Sequence, residues 1–217
     1  MSTRVLHLFF LFLLVLEFSS ALAEEAAQFG KWISLFDGKS LAGWTPSQEN
    51  QDSCRVEEGK LVLGGQRCHL FYTGDVGNHD FKNFQLNLKV MTKPKANSGV
   101  YFHTKYQKEG WPDTGYEVQV NNSHDDWRKT GSIYGVQDIK KSPAKDNEWF
   151  DYLITVNGKN IKVEVDGQTI NEFTETDIMS HLEDSPERKL SSGTIALQAH
   201  DPDSLVYYKD IQIKILP

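Results

Sequence analysis

Three short stretches of this 217-residue chain place hydrogen-bonding or proton-moving side chains at every second position. In Ser98-Gly99-Val100-Tyr101-Phe102-His103, Tyr101 and His103 alternate with Val100 and Phe102. In Tyr116-Glu117-Val118-Gln119-Val120-Asn121, Glu117, Gln119 and Asn121 alternate with valines. In Gly193–His200, Gln198 and His200 lie across from Ile195 and Leu197, and Ser132 and Tyr134 flank Ile133 in the same way. Successive side chains of an extended chain point to opposite faces, so each apolar set turns inward and the polar sets share the other face. A merely solvated strand face tends towards Lys, Glu and Thr. Tyr, His, Glu, Gln and Asn instead hydrogen-bond in fixed directions, which suits a ligand rich in hydroxyls.

The segments between these stretches read as rim loops. Glu109–Gly115 carries Trp111, and Asn122–Gly131 carries His124, Trp127 and Arg128. Flat aromatic surfaces such as Trp111 and Trp127 offer stacking planes for the C–H faces of a sugar. Asn121-Asn122-Ser123 matches the N-glycosylation sequon. Glu117 is the one carboxylate in the polar rows, whereas an endoglucanase needs two acids about 5–10 Å apart. The chain has no G-x-S-x-G elbow, H-E-x-x-H pair, EF-hand loop or phosphate-binding glycine loop. Asp201-Pro202-Asp203 and Asp125-Asp126 are weak calcium signals.

Positioning these rows requires strands. Phe84–Val90, Ile161–Val165 and Ile211–Ile215 alternate strictly, which predicts antiparallel sheets with one buried face. Asn157-Gly158 and Asp166-Gly167 are hairpin signals, and Glu58-Gly59 turns a third hairpin within Val56–Leu63. The spacing predicts about ten to twelve strands of ordinary length in a two-sheet sandwich or jelly roll. A short helix has room over Glu172–Leu182 alone, and no repeat of solenoid length is present.

Residues 1–23 read as a secretory leader: Arg4 precedes a mostly apolar run to Leu16, and Ala21-Leu22-Ala23 offers a small-x-small cleavage site. The run is shorter than the roughly 20 residues of a membrane span. We therefore expect a secreted or periplasmic protein with one domain over 24–217 and no membrane span after cleavage. Lys and Arg number 23 against 30 Asp and Glu, a net −7 that argues against a nucleic-acid partner. In an oxidising compartment Cys54 and Cys68 form a natural disulfide; closing a loop of about 15 residues is worth roughly 3 kcal/mol.

Taken in order, several segments resemble the 3-keto-disaccharide hydrolase family, also described as 3-keto-glucoside 1,2-lyases (domain of unknown function 1080). They are Ile33–Trp44 (ISLFDGKSLAGW), Asn97–His103, Gly115–Val120, Asn147–Tyr152 and Gly193–Leu216 with its Leu197-Gln198-Ala199-His200 and Tyr208–Ile213 motifs. The resemblance runs from about residue 30 to the end. It implies an all-β, concanavalin A-like jelly-roll sandwich of two antiparallel sheets and a substrate already oxidised at C3 by a separate sugar dehydrogenase. It further implies C2 proton abstraction, β-elimination of the C1 substituent and hydration, a net hydrolysis. Glu117 or His103 is then the candidate base, and His200 or Tyr134 the acid or oxyanion donor. Tyr101, Gln119, Asn121, Gln198, Trp111 and Trp127 are the candidate substrate contacts. The resemblance assigns no cofactor, and a divalent metal held by His103, Glu117 and His200 is an alternative to the oxyanion donor. The family pattern that the resemblance implies has Arg in many members where this chain has His103, so its substrate range need not match theirs. The competing class is a non-catalytic carbohydrate-binding module on the same sandwich, which would stack sugars on the aromatics and need no base.

Overall fold

A computed structural model describes residues 28–176 and 188–217; the leader and residues 177–182 of the expected helix lie outside these ranges. The alternation in Phe84–Val90 becomes a strand over Phe84–Thr92 whose residues alternate between buried and half-buried along its whole length. It is one of thirteen strands in chain order: β1 (Trp32–Ser34), β2 (Trp44–Pro46), β3 (Cys54–Glu57), β4 (Lys60–Gly64), β5 (Cys68–Tyr72), β6 (Phe84–Thr92), β7 (Ser98–Thr104), β8 (Tyr116–Val120), β9 (Phe150–Asn157), β10 (Asn160–Val165), β11 (Gln168–Thr174), β12 (Thr194–Ala199) and β13 (Leu205–Ile215). Two strands of three residues at the N-terminal side explain the excess over the expected number, because segments so short carry no readable period. Residues 172–174, expected at the start of a helix, end β11 instead. Pairing with β10 overrides their weak helical pattern.

The strands form two antiparallel sheets. The larger has the order β11-β10-β9-β6-β13-β4-β3 with β1 beside β13; the smaller has the order β2-β5-β12-β7-β8. The expected hairpins form: Glu58-Gly59 and Asp166-Gly167 both place two consecutive residues at positive φ, as a two-residue turn with right-handed strand twist demands. Apolar residues of both sheets meet in one contiguous core, from Leu86, Ile154, Ile213 and Val163 on one side to Val100, Val118, Ile195 and Leu197 on the other. The architecture is the expected jelly-roll sandwich of concanavalin A type. No helix among the described residues is long and apolar enough to cross a membrane.

Two tyrosines reach across this core from the larger sheet. Tyr152 of β9 donates to the carbonyl of Gln119 in β8 at 2.8 Å. Tyr208 of β13 meets the Ser98 hydroxyl at 2.7 Å, and Ser98 donates onward to the carbonyl of Gln198 at 2.5 Å. Buried hydroxyls need partners. Here Tyr152 reaches the backbone of β8 directly and Tyr208 reaches that of β12 through Ser98, on the strands whose opposite faces carry the polar rows.

Cys54 and Cys68 correct one expectation. They approach each other at one end of the core as two buried thiols rather than a closed disulfide. A hydrogen bond to Cys68 and burial both push the Cys54 thiol far above its usual range. The loop between them is already closed by β3–β4 pairing and by β5 in the facing sheet.

Candidate active site

The outer face of the smaller sheet holds a cleft of about 290 Å³. Strand residues Tyr101, Glu117, Gln119 and Gln198 line it together with Asn97, Trp111, Pro112, Asp126, Tyr134, Arg188 and His200. Strand parity accounts for its floor. Tyr101 of β7 pairs with Glu117 of β8, and Gly99 with Gln119. Gln198 of β12 emerges on the same side. A Cβ on Gly99 would lie 2.2 Å from Glu117 Oε1, so the carboxylate occupies the space that only glycine leaves open.

Glu117 is buried, and each of its oxygens is held: Tyr101 donates its hydroxyl to Oε2 at 2.8 Å, and Gln198 Nε2 donates to Oε1 at 3.1 Å. Burial raises its pKa to about 7, while the bonds from Tyr101 and Gln198 and the nearby Arg188 charge act in the opposite sense. A carboxyl with that value is divided between base and acid near neutrality, which is what proton transfer in both directions asks for. Burial likewise drives the Tyr101 hydroxyl well above its usual range, so it stays a donor. Gln119 Nε2 donates to Asn97 Oδ1 at 2.8 Å. The Oε1 atoms of Gln119 and Gln198 are both buried without a partner. Two orphaned acceptors in a polar cleft are a demand for ligand donors.

The walls come from loops. Residues 130–134 run beside β8: Tyr134 N–H donates to the Glu117 carbonyl at 2.9 Å, and Gln119 and residues 131–132 exchange bonds of 2.9 and 3.0 Å. This brings the Tyr134 ring to the cleft between two guanidinium groups, Arg128 at 4.6 Å and Arg188 at 5.9 Å. Arg188 also donates to the Tyr134 carbonyl at 3.3 Å. His200 follows β12 and donates from Nδ1 to Asp201 Oδ2 at 2.7 Å, which leaves Nε2 to a ligand. Burial opposes ionisation of Asp201, but hydrogen bonds from Ser204, His200 and the Asp203 N–H outweigh it and hold its pKa below the usual value.

Three expected site residues, His103, Asn121 and Trp127, lie elsewhere, as does Ser132 of the polar rows. His103 shares parity with Tyr101 in a regular strand, but β7 and β12 shift register near residue 103, where His103 adopts φ 56°. The bulge turns its ring away from Glu117. There the Ser191 N–H donates to Nδ1 at 3.1 Å, and Nε2 donates to the Lys82 carbonyl at 2.9 Å. Burial lowers its pKa, and with both nitrogens bonded it is neither a base nor part of a metal trio with Glu117 and His200. No cluster of three metal-ligating side chains occurs among the described residues. Asn121 is fully buried just beyond β8, and its side-chain amide donates to the carbonyls of Asp126 and Arg128 at 2.9 and 2.8 Å. It shapes a loop rather than meeting a ligand. Trp127 stands outside the cleft with Arg128 and Lys140 over its ring. Ser132 closes a turn with Ile139.

Asn97, Asp126, Asp201 and Arg188 were not legible as site residues. Asn97 precedes β7, so parity does not reach it, and Arg188 lies in an irregular segment with no period. Asp201 adjoins His200 in a turn that reads first as a calcium ligand.

The family model of the 3-keto-alpha-glucoside-1,2-lyase-like domain matches residues 31–214. A curated relative, the 3-keto-disaccharide hydrolase of Bacteroides thetaiotaomicron, is 24% identical over 85% of this chain and 78% of its own length. A solved structure from Parabacteroides distasonis, provisionally described as a glycosyl hydrolase, superposes with a TM-score of 0.73 at 23% identity, covering 89% of this chain and 97% of that one. A carbohydrate-binding module, CBM66 of Bacillus subtilis, shares the fold at a TM-score of 0.53 and 11% identity, over 79% of this chain and 95% of the module.

Proposed function

Since the chain belongs to the 3-keto-alpha-glucoside-1,2-lyase-like domain family, we propose that its cleft cleaves glycosides bearing a ketone at C3, with Glu117 as the base. The observation that carries this reading is the buried Glu117 carboxyl, fixed on both oxygens and poised near pH 7 beneath a cleft that also presents a cation and a histidine. A ketone at C3 acidifies the C2 hydrogen. Glu117 takes that proton, and the electron pair moves into an enediolate at C2–C3. Arg188 stabilises the charge on the C3 oxygen. The C1–O bond then breaks as the pair returns, and His200, oriented by Asp201, gives a proton to the departing oxygen. Water adds to C1 of the resulting 2-hydroxy enone and gives its proton to His200, and the C2 proton comes back from Glu117. The net result is hydrolysis without a second carboxylate.

Gln119 and Gln198 accept from sugar hydroxyls through their orphaned Oε1 atoms, and Trp111 and Tyr134 flank the ring. The substrate is the product of a separate sugar dehydrogenase, because a ketone at C3 of a glycoside arises by two-electron oxidation of the secondary alcohol there. The leader-like residues 1–23 support export to the periplasm or beyond the cell.

Incubation with 3-keto-trehalose tests the reading. Consumption of the ketone-bearing disaccharide, lost in Glu117→Gln, is expected. Binding without consumption would instead identify a sugar-binding module.

A further inference from the structure

One titratable side chain on the ligand face has no part in this chemistry. His69 of β5 pairs with Gln198 of β12, so its imidazole emerges on the same face as Gln198 and Tyr101. It is fully buried, and neither ring nitrogen has a hydrogen-bond partner. Burial lowers its pKa to about 4, so the ring is neutral, with one donor and one acceptor nitrogen idle. Satisfied burial is the rule for such groups, and the exception calls for a state in which they are used.

Three aromatic rings pack on His69: Tyr101 at 5.4 Å and Phe71 at 6.4 Å from its own sheet, and Trp111 from a loop. Trp111 packs against it at 5.4 Å and 77°, and against His200 at 5.4 Å. Yet Trp111 remains 44% exposed. It is held from outside by Arg67, whose guanidinium lies 5.1 Å from the indole and pairs with Glu49, itself a partner of the Gly110 N–H. Trp111 and Gly110 belong to the loop that joins β7 to β8, whereas Arg67 directly precedes β5 and Glu49 follows β2.

Position along the sheet assigns the use. Strand order runs β8, β7, β12, β5, so Glu117 and His69 stand three strand spacings apart across the sheet, about 14 Å, and two residues apart along it. His200, the donor to the departing oxygen, borders Trp111 between them. A sugar whose C2 faces Glu117 therefore extends its C1 substituent towards Trp111 and His69.

We infer that Trp111 is a movable cover over a second sugar subsite, in which His69, once uncovered, hydrogen-bonds a hydroxyl of the leaving half of the substrate. The assignment of that half rests on the function proposed above. A neutral imidazole suits a hydroxyl, which donates and accepts as it does.

Two measurements test this. In the first, KM for 3-keto-trehalose is compared with KM for methyl 3-keto-α-glucoside, which lacks a second ring. His69→Phe should raise the ratio of the two about tenfold, and His69→Gln, which keeps a donor and an acceptor, should raise it less. A ratio unchanged in both variants would overturn the subsite. The second needs no turnover: unoxidised trehalose is titrated into the wild-type protein while the ring nitrogens of His69 are followed by NMR. A shift of those resonances is expected, together with faster modification of His69 by diethyl pyrocarbonate in Trp111→Ala. Unmoved resonances would overturn the inference, even if 3-keto-trehalose is cleaved. Failure to cleave 3-keto-trehalose with shifted resonances would instead reject the base mechanism alone.

Discussion

At the residue scale the decisive event is the burial of Glu117 against a glycine. Its pKa of about 7 lies above the 4.5 of an unburied glutamate, so the folded state favours the protonated form. The stability contribution is therefore full below pH 4.5 and is lost as pH rises through 7. Glu117→Gln should be more stable than wild type above pH 7 by up to roughly 3 kcal/mol, with the advantage vanishing near pH 4.5, as denaturant titrations across that range would read. The same variant should lose about 10²–10⁴-fold in turnover, and wild-type kcat/KM should rise through about pH 7. Gly99→Ala makes a sharper test of placement. Its methyl group would displace the carboxylate, and a misplacement of about 1 Å costs on the order of 10²-fold, while thermal melts should stay cooperative. Glu117, Tyr101, Gln119 and Gln198 were legible because strict alternation fixes a face.

At the element scale alternation fails where the backbone departs from a simple strand. The β7 bulge at His103 inserts one residue and reverses parity, which no composition signal announced. Gly115 and Gly193 crowd that bulge: a Cβ on either would fall 2.0 and 2.4 Å from the carbonyl oxygens of Phe102 and Thr104. His103→Asn, whose side chain tolerates positive φ, should lower stability by about 1–2 kcal/mol through lost hydrogen bonds yet leave the pH midpoint of turnover where it is. A shifted midpoint would restore His103 as the base. Tyr152→Phe acts through the opposite face of the sheet. It removes a core donor to the Gln119 carbonyl and should cost about 1 kcal/mol in denaturant unfolding, with a rise in KM exceeding any change in kcat.

At the scale of the whole molecule, two-sheet architecture was readable from hairpin dipeptides and period-two runs, whereas strand order was not. β13 is last in sequence but lies between β6 and β4 in the larger sheet, a pairing set by long-range packing. The cysteine pairing was misread for a related reason: spacing shows that a loop can close, but the two thiols already meet across a finished core. Denatured without reductant, the protein should titrate two free thiols; none would indicate a disulfide. The loop walls were the least legible part of the cleft, because Arg188 and Asp126 belong to segments without periodicity.

The run of residues 130–134 alongside β8 does more than deliver Tyr134. By occupying the hydrogen-bonding groups of β8 at Glu117 and Gln119, it blunts a strand margin that would otherwise offer itself to a neighbouring copy. Redesign of this loop to widen substrate choice therefore carries a hidden hazard: variants that loosen it invite edge-to-edge self-association, so solubility would have to be screened alongside catalysis.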